Sequence, residues 1–283
     1  MAINRKLSQN LAYTLLTISG FLVVIPVILV VYFLVSKGYS AISWSFFTQM
    51  PSNGMREGGI LSPIIGTLSL MLVTAVIALP IGLISAIYLA EYAKDGPAMR
   101  IIRLAIVNLA GVPSIVFGLF GYALFVLLLF KHESIIAGGL TLAIMSLPVI
   151  IVAAEEAIKS VPDSFREASL GLGATKWQTI YKVILPNAMP GIITGTILAL
   201  SRAAGETAPI LFTVAAFYTP FLPASLMDKV MTLPYHLYIL STQVPNAPVG
   251  VQWGTALTLL ILVLGLNLVA TFIRKYYRSK RVW

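Results

Sequence analysis

The segment Ser160-Val-Pro-Asp-Ser-Phe-Arg-Glu-Ala-Ser-Leu-Gly-Leu-Gly-Ala-Thr-Lys-Trp-Gln-Thr-Ile-Tyr-Lys-Val-Ile-Leu-Pro186 is a polar island between two apolar runs, 135–157 and 188–216. It carries two helix-start signals. Ser164 with Glu167, and Thr175 with Gln178, each have the spacing of a capping box, in which side chain and backbone exchange hydrogen bonds at a helix start. Between the two signals, Gly171 and Gly173 permit the backbone to turn. Trp177, Ile180 and Ile184 recur at i, i+3 and i+7, opposite Lys176, Thr179 and Lys182. The segment is expected to form two short helices at a membrane surface. Such a loop either docks into a cleft on another protein or is simply a capped loop facing water.

The surroundings make that surface a bilayer. Of 283 residues 58% are apolar and 10% charged, whereas soluble domains carry about a quarter charged residues. A bilayer core about 30 Å thick needs roughly 20 apolar helical residues. Six segments qualify: 12–35, 61–90, 103–130, 135–157, 188–216 and 252–273. The expected fold class is all-α, a polytopic membrane protein of about six transmembrane helices. Pro80 with Gly82, Pro113, Pro148 and Pro209 fall inside these runs and are expected to kink them.

Basic residues fix the orientation, because they stay on the cytoplasmic side. The N-terminus, the 91–102 and 158–187 connections and the C-terminus hold most of them, including Arg5, Lys6, Lys94, Arg100, Arg166, Lys176, Arg278, Lys280 and Arg281. The opposite connections hold Lys37, Arg56, Lys131 and Lys229. Both termini are therefore expected in the cytoplasm. The first run is too long for a signal-peptide core and has no small-x-small cleavage site, so it reads as a retained anchor. The 19 basic against 10 acidic residues cluster in short loops, which fits a membrane surface and no nucleic acid. No cysteine is present, which removes disulfides and thiolate metal sites. The outer connections 36–60 and 217–251 are long enough to face a partner outside.

Charges within a span are costly and mark a pathway or an internal pair. Arg202 and Glu206 are such charges. Counted from a span start near Ala188, Arg202 lies about 21 Å in, somewhat beyond mid-membrane, with Glu206 one turn later. A guanidinium donates two parallel hydrogen bonds to a tetrahedral oxyanion, and Ser201 and Thr207 add hydroxyls nearby. A purely structural ion pair is the other reading. His132 and His236 read as surface residues, with no metal site between them. Glu155 and Glu156 end the fourth span, either solvated or facing a partner. Gly191 and Gly195 have the spacing of close helix packing.

Within the polar island, Glu167-Ala168-Ser169, then Gly173, then Val183-x-Leu185-Pro186 resemble the E-A-A-x3-G-x9-I-x-L-P pattern of ABC importer permease subunits, with Ser169 and Val183 as mild departures. The resemblance implies that Glu167, Ala168, Gly173, Leu185 and Pro186 belong to a loop that docks on an ATP-hydrolysing subunit. The chain has no Gly-Lys pair and so no phosphate loop of its own. ATP and Mg would be bound by a partner, and this chain would carry no cofactor and catalyse no reaction.

Four further stretches, Gly59–Thr67, Ala86–Tyr92, Gly111–Gly118 and Ser201–Pro209, look like the phosphate permeases of these importers. Met231-Thr-Leu-Pro-Tyr-His-Leu-Tyr238 is closer to the PstA type than to its PstC partner. The resemblance implies a type I ABC importer permease (MetI-like) fold. It also implies a PstC-type second permease, two PstB-type ATP-binding subunits and an external PstS-type phosphate-binding protein. The expected organisation is 1–58 (N-terminal segment, first helix and outer loop), 59–275 (permease domain with the coupling loop at 158–187) and 276–283 (basic tail). The expected location is a bacterial plasma membrane. Sulfate or molybdate as cargo, and an autonomous secondary carrier or channel, are the alternatives.

Overall fold

A computed structural model describes residues 5–94 and 96–278. The expected positions Lys280 and Arg281 of the basic tail lie outside the described residues. Among those residues the chain is helical, apart from one short hairpin and the loops.

Helix α1 spans Arg5–Gly38 and runs almost wholly exposed. Its C-terminal part leans on the last helix, and there a Cβ on Gly38 would stand 2.7 Å from the Trp253 carbonyl oxygen. A helix this apolar on all sides is stable in lipid and not in water. The connection 36–60, expected on the outer side, holds a short helix α2 (Trp44–Thr48), capped by the Ser43 hydroxyl. The hairpin β1 (Pro51–Ser52) and β2 (Glu57–Gly58) follows, with Pro51 opposite Gly58.

Helix α3 (Leu61–Ile87) continues through a π-helical turn, Tyr88–Tyr92, giving one apolar rod from Leu61 to Tyr92. Helix α6 (Ile135–Lys159) is the most buried of the spans and packs between α3 and α9 (Leu185–Gly205). Close approach of α9 to α6 depends on the expected glycine pair. A Cβ on Gly191 would lie 2.6 Å from that of Ala157, and one on Gly195 2.3 Å from that of Ala153. Helix α12 (Val249–Arg278) supplies the last span and packs on α9 and α1.

Two expected spans are corrected. The run 103–130 is no single rod: α4 (Pro97–Ala110) meets α5 (Ser114–Gly121), extended by a π-helical stretch to Phe130, at 99°. The break falls at Gly111-Val112-Pro113, because proline lacks an N–H and drives the residue before it out of the helical region. The run 188–216 also stops early. Its helix is continuous from Lys176 to Gly205, and Glu206 is extended at φ −72°, ψ 135°. The Pro209 ring would clash with the Gly205 carbonyl four residues back, so the chain turns and restarts as the short α10 (Ala208–Leu211).

The connection 217–251, expected on the outer side, folds back onto the helices. Its helix α11 (Leu233–Thr242) buries Tyr235, His236, Ile239 and Leu240, and Ala215 bridges Val230. His236 is therefore not a surface residue. It is 1% exposed, because the apolar positions around it draw α11 against the core, whereas His132 stays exposed as expected. Earlier in the same connection as His236, Lys229 donates to Glu133 at 2.7 Å and holds that carboxyl below its usual range.

Candidate functional site

The polar island folds into two short helices, α7 (Asp163–Gly171) and α8 (Lys176–Thr179), the second running through a π-helical turn (Ile180–Ile184) into α9. The Thr175 box forms: the Gln178 amide donates to the Thr175 hydroxyl at 3.3 Å, and the Thr175 amide to Gln178 Oε1 at 2.9 Å. The Ser164 box does not. Helix α7 already starts at Asp163 after Pro162, with no side-chain cap, so Ser164 lies inside the first turn and Asp163 supplies the negative charge favoured there. Gly173 has φ +86° with nothing within 4 Å of its missing Cβ. The turn thus depends on its backbone angle and not on crowding. Gly171 has no such angle.

Ile180 and Ile184 are buried against Ala86, Ile158, Val161 and Ala188. Trp177, expected in the same stripe, is 57% exposed and stacks on Tyr181 with centroids 6.4 Å apart. It sits in the first turn of α8, beyond that cluster. Glu167, Ala168, Gly173 and Pro186 are exposed and Leu185 is half-buried. Leu170 and Leu172 are exposed beside them. The loop thus presents acidic and apolar groups outward from a packed base.

That base includes residues whose role local sequence patterns did not reveal. The Arg166 guanidinium donates to Glu91 Oε1 from Nε at 3.1 Å and from Nη2 at 2.8 Å. Its Nη1 donates to the Val161 carbonyl at 2.7 Å and to Asp163 at 3.0 Å, and Nη2 also to the Ile158 carbonyl at 3.1 Å. The Lys176 ammonium donates to the Glu91 carbonyl and lies 4.7 Å over the Tyr92 ring. Ser169 and Thr179 hydroxyls join α7 to α8 at 2.9 Å. Two opposite charges in neighbouring connections, both expected on the cytoplasmic side, were the available signal. Glu155 is buried between Arg103 at 3.2 Å and Lys159 at 2.7 Å, while Glu156 is exposed.

Arg202 lies in the last turn of α9, more than half exposed, with Nε 3.4 Å from Glu206 Oε1. The two are thus not stacked on one helix face as expected, since Glu206 stands past the helix end. The Glu206 side chain is mostly buried and lines a narrow crevice with Thr67, Met71, Ala204, Ile210 and Thr232. Ser201 points into the interior, 3% exposed, and does not join Arg202 at the surface. Thr207 is half-buried next to the turn. Arg202 thus presents an exposed guanidinium beside the crevice that Glu206 lines. Among the described residues no group of three metal-ligating side chains occurs.

Residues 78–282 match the family described as binding-protein-dependent transport system inner membrane component. The chain is 36% identical, over 97% of its length and 91% of the relative's, to the phosphate transport system permease protein PstA 1 of Mycobacterium tuberculosis (strain CDC 1551 / Oshkosh). It is 34% identical to the phosphate transport system permease protein PstA of Xylella fastidiosa (strain Temecula1 / ATCC 700964), over 84% of this chain and 82% of that one. Its fold is similar to a chain of the MetNI methionine ABC transporter in an inward-facing crystal form. The TM-score is 0.64 at 20% identity, covering 77% of this chain and 95% of that chain. A system of this kind includes a substrate-binding protein and an ATPase beside its membrane component. With five apolar helices and one bent pair long enough to cross a bilayer, the family match and the shared fold in agreement, the chain belongs to the binding-protein-dependent transport system inner membrane components, the membrane subunits of ABC importers, and has their type I permease fold.

Proposed function

We propose that this subunit forms half of the pore through which an ATP-driven importer carries inorganic phosphate across a bacterial plasma membrane by alternating access. The observation that carries the substrate is the 36% identity, over nearly the whole of both chains, to a protein named as a phosphate permease. Arg202 supports it chemically. Phosphate arrives as a mono- or dianion, and an anion crossing a low-dielectric region needs a compensating charge. Glu206 holds the guanidinium when no anion is present and retakes it when the anion leaves, with Thr207 as a further polar group beside the turn.

A PstC-type permease completes the pore, two PstB-type subunits bind ATP and Mg, and a PstS-type protein delivers phosphate from outside. This chain holds no cofactor in that assembly. Glu167, Ala168, Gly173, Leu185 and Pro186 form the docking loop for the ATPase, with exposed Leu172 and Trp177 as apolar contacts. Both termini lie in the cytoplasm. The test is uptake of radiolabelled phosphate into proteoliposomes holding the full complex. ATP-dependent uptake that excess sulfate and molybdate leave unchanged is the expected result. Transport of either oxyanion in its place would reassign the cargo, and uptake without the ATPase subunit would overturn the importer reading.

A further inference from the structure

Glu91 is the point where both helices of the cytoplasmic loop meet a membrane span. Its carboxylate, 9% exposed, receives two donors from Arg166 on α7. Its backbone carbonyl receives the Lys176 ammonium from α8. The remaining Arg166 donors close on Ile158 and Val161 carbonyls at the end of α6, and the Ser169–Thr179 hydrogen bond makes α7 and α8 one unit. The π-helical turn that carries Glu91 closes with a bond from the Ala93 amide to the Tyr88 carbonyl at 2.8 Å. Such widened turns are frequent at functional positions.

From this turn α3 runs without a break toward the outer side, and its Thr67 and Met71 line the same crevice as Glu206. Met71 and Glu91 are about 20 residues apart, or about 30 Å of helix. A continuous helix of that length, with Pro80 inside it, joins the loop's anchor to the crevice.

We infer that Glu91 is the positioning residue that ties the coupling loop to α3, so that displacement of the loop moves the Glu206 crevice through α3. The inference rests on the proposed importer role, and it assigns the force path to a residue outside the recognised loop pattern. Cutting the tie leaves α7 and α8 able to dock on the ATPase while α3 no longer follows. ATP hydrolysis then continues and transport does not. A residue that only stabilised the fold would lower both in proportion to the amount of complex.

The experiment compares the intact complex with Glu91→Gln, which keeps the size and loses the charge. Phosphate taken up per ATP hydrolysed should fall by about tenfold or more, with assembled complex and ATPase rate retained. In this Cys-free chain, Glu91→Cys treated with a carboxylate-bearing thiosulfonate should regain part of that ratio, and a neutral reagent of equal length should not. Hydrogen exchange of amides 158–180 reads the tie without reference to cargo, and should speed up in Glu91→Gln. An unchanged ratio, or unchanged exchange, overturns the inference. Failure of the unaltered complex to take up phosphate removes the cargo assignment alone, since the exchange measurement still decides the tie.

Discussion

Arg202 and Glu206 face each other at 3.4 Å across the end of a helix, not along it. Arg202 belongs to the last turn of α9, where a cation is favoured by the helix dipole. Glu206 is held by the non-helical turn that Pro209 enforces. The arginine side chain is more than half exposed while its acceptor is mostly buried, an asymmetry that leaves the guanidinium open to a dissolved anion.

The proposed anion contact predicts a split between substitutions. Arg202→Lys keeps the charge without the planar fork and should retain partial uptake, and Arg202→Gln should lower uptake by about tenfold or more with assembly intact. If the pair is purely structural, Arg202→Gln lowers complex abundance, and adding Glu206→Gln restores both abundance and uptake. Uptake per assembled complex in the two single variants and the double variant separates the cases. A double variant that transports normally ends the anion-contact role.

Gly173 gives a second prediction, in the coupling loop. With φ +86° and open space around it, the penalty for a side chain is one of backbone angle, about 1–2 kcal/mol for most residues and less for asparagine. Gly173→Val should shift the α7–α8 turn and lower both uptake and transport-linked ATP hydrolysis while membrane abundance persists. Gly173→Asn should be milder. Equal loss in the two variants would mean that bulk at this position, and not the angle, disturbs docking.

Much of this was legible in the chain because bilayer thickness writes itself into run length. Of six apolar runs, five gave single helices long enough to cross a bilayer and the sixth a pair bent by 99°, and the Thr175 box formed because both partners are local. What stayed hidden depended on neighbours. Pro80 and Pro148 lie inside continuous helices, whereas Pro113 breaks one by 99°, and no local pattern distinguishes them. His236 carries no sign of burial within a Pro-rich connection. The Arg166–Glu91 pair joins residues 75 apart, a separation at which periodicity says nothing.

Orientation is testable because the chain has no cysteine. Ser225 is exposed in the second outer connection, and Ser225→Cys should react with an impermeant thiol reagent in intact cells. Lys280→Cys, in the tail outside the described residues, should react only after permeabilisation. The reverse labelling would invert the assigned topology.

His236 supplies a prediction with a sign. It lies in α11, within the connection between the last two spans, with neither ring nitrogen hydrogen-bonded among the described residues. Burial alone pushes its pKa down to about 4, against about 6.5 in an unfolded chain. Above pH about 6.5 neither state binds a proton there, so the residue adds no pH dependence. As pH falls from about 6.5 to about 4 the unfolded chain takes up a proton that the folded ring refuses, and stability drops. The full loss is roughly 3 kcal/mol. His236→Phe keeps much of the volume and removes both the titration and two unpaired polar atoms, so at pH 7.5 it should be neutral or mildly stabilising. Thermal unfolding of the purified complex at pH 7.5 and pH 5 reads the difference. The wild-type complex should lose more on acidification than the variant does, and an equal loss in both would place the acid sensitivity at another residue.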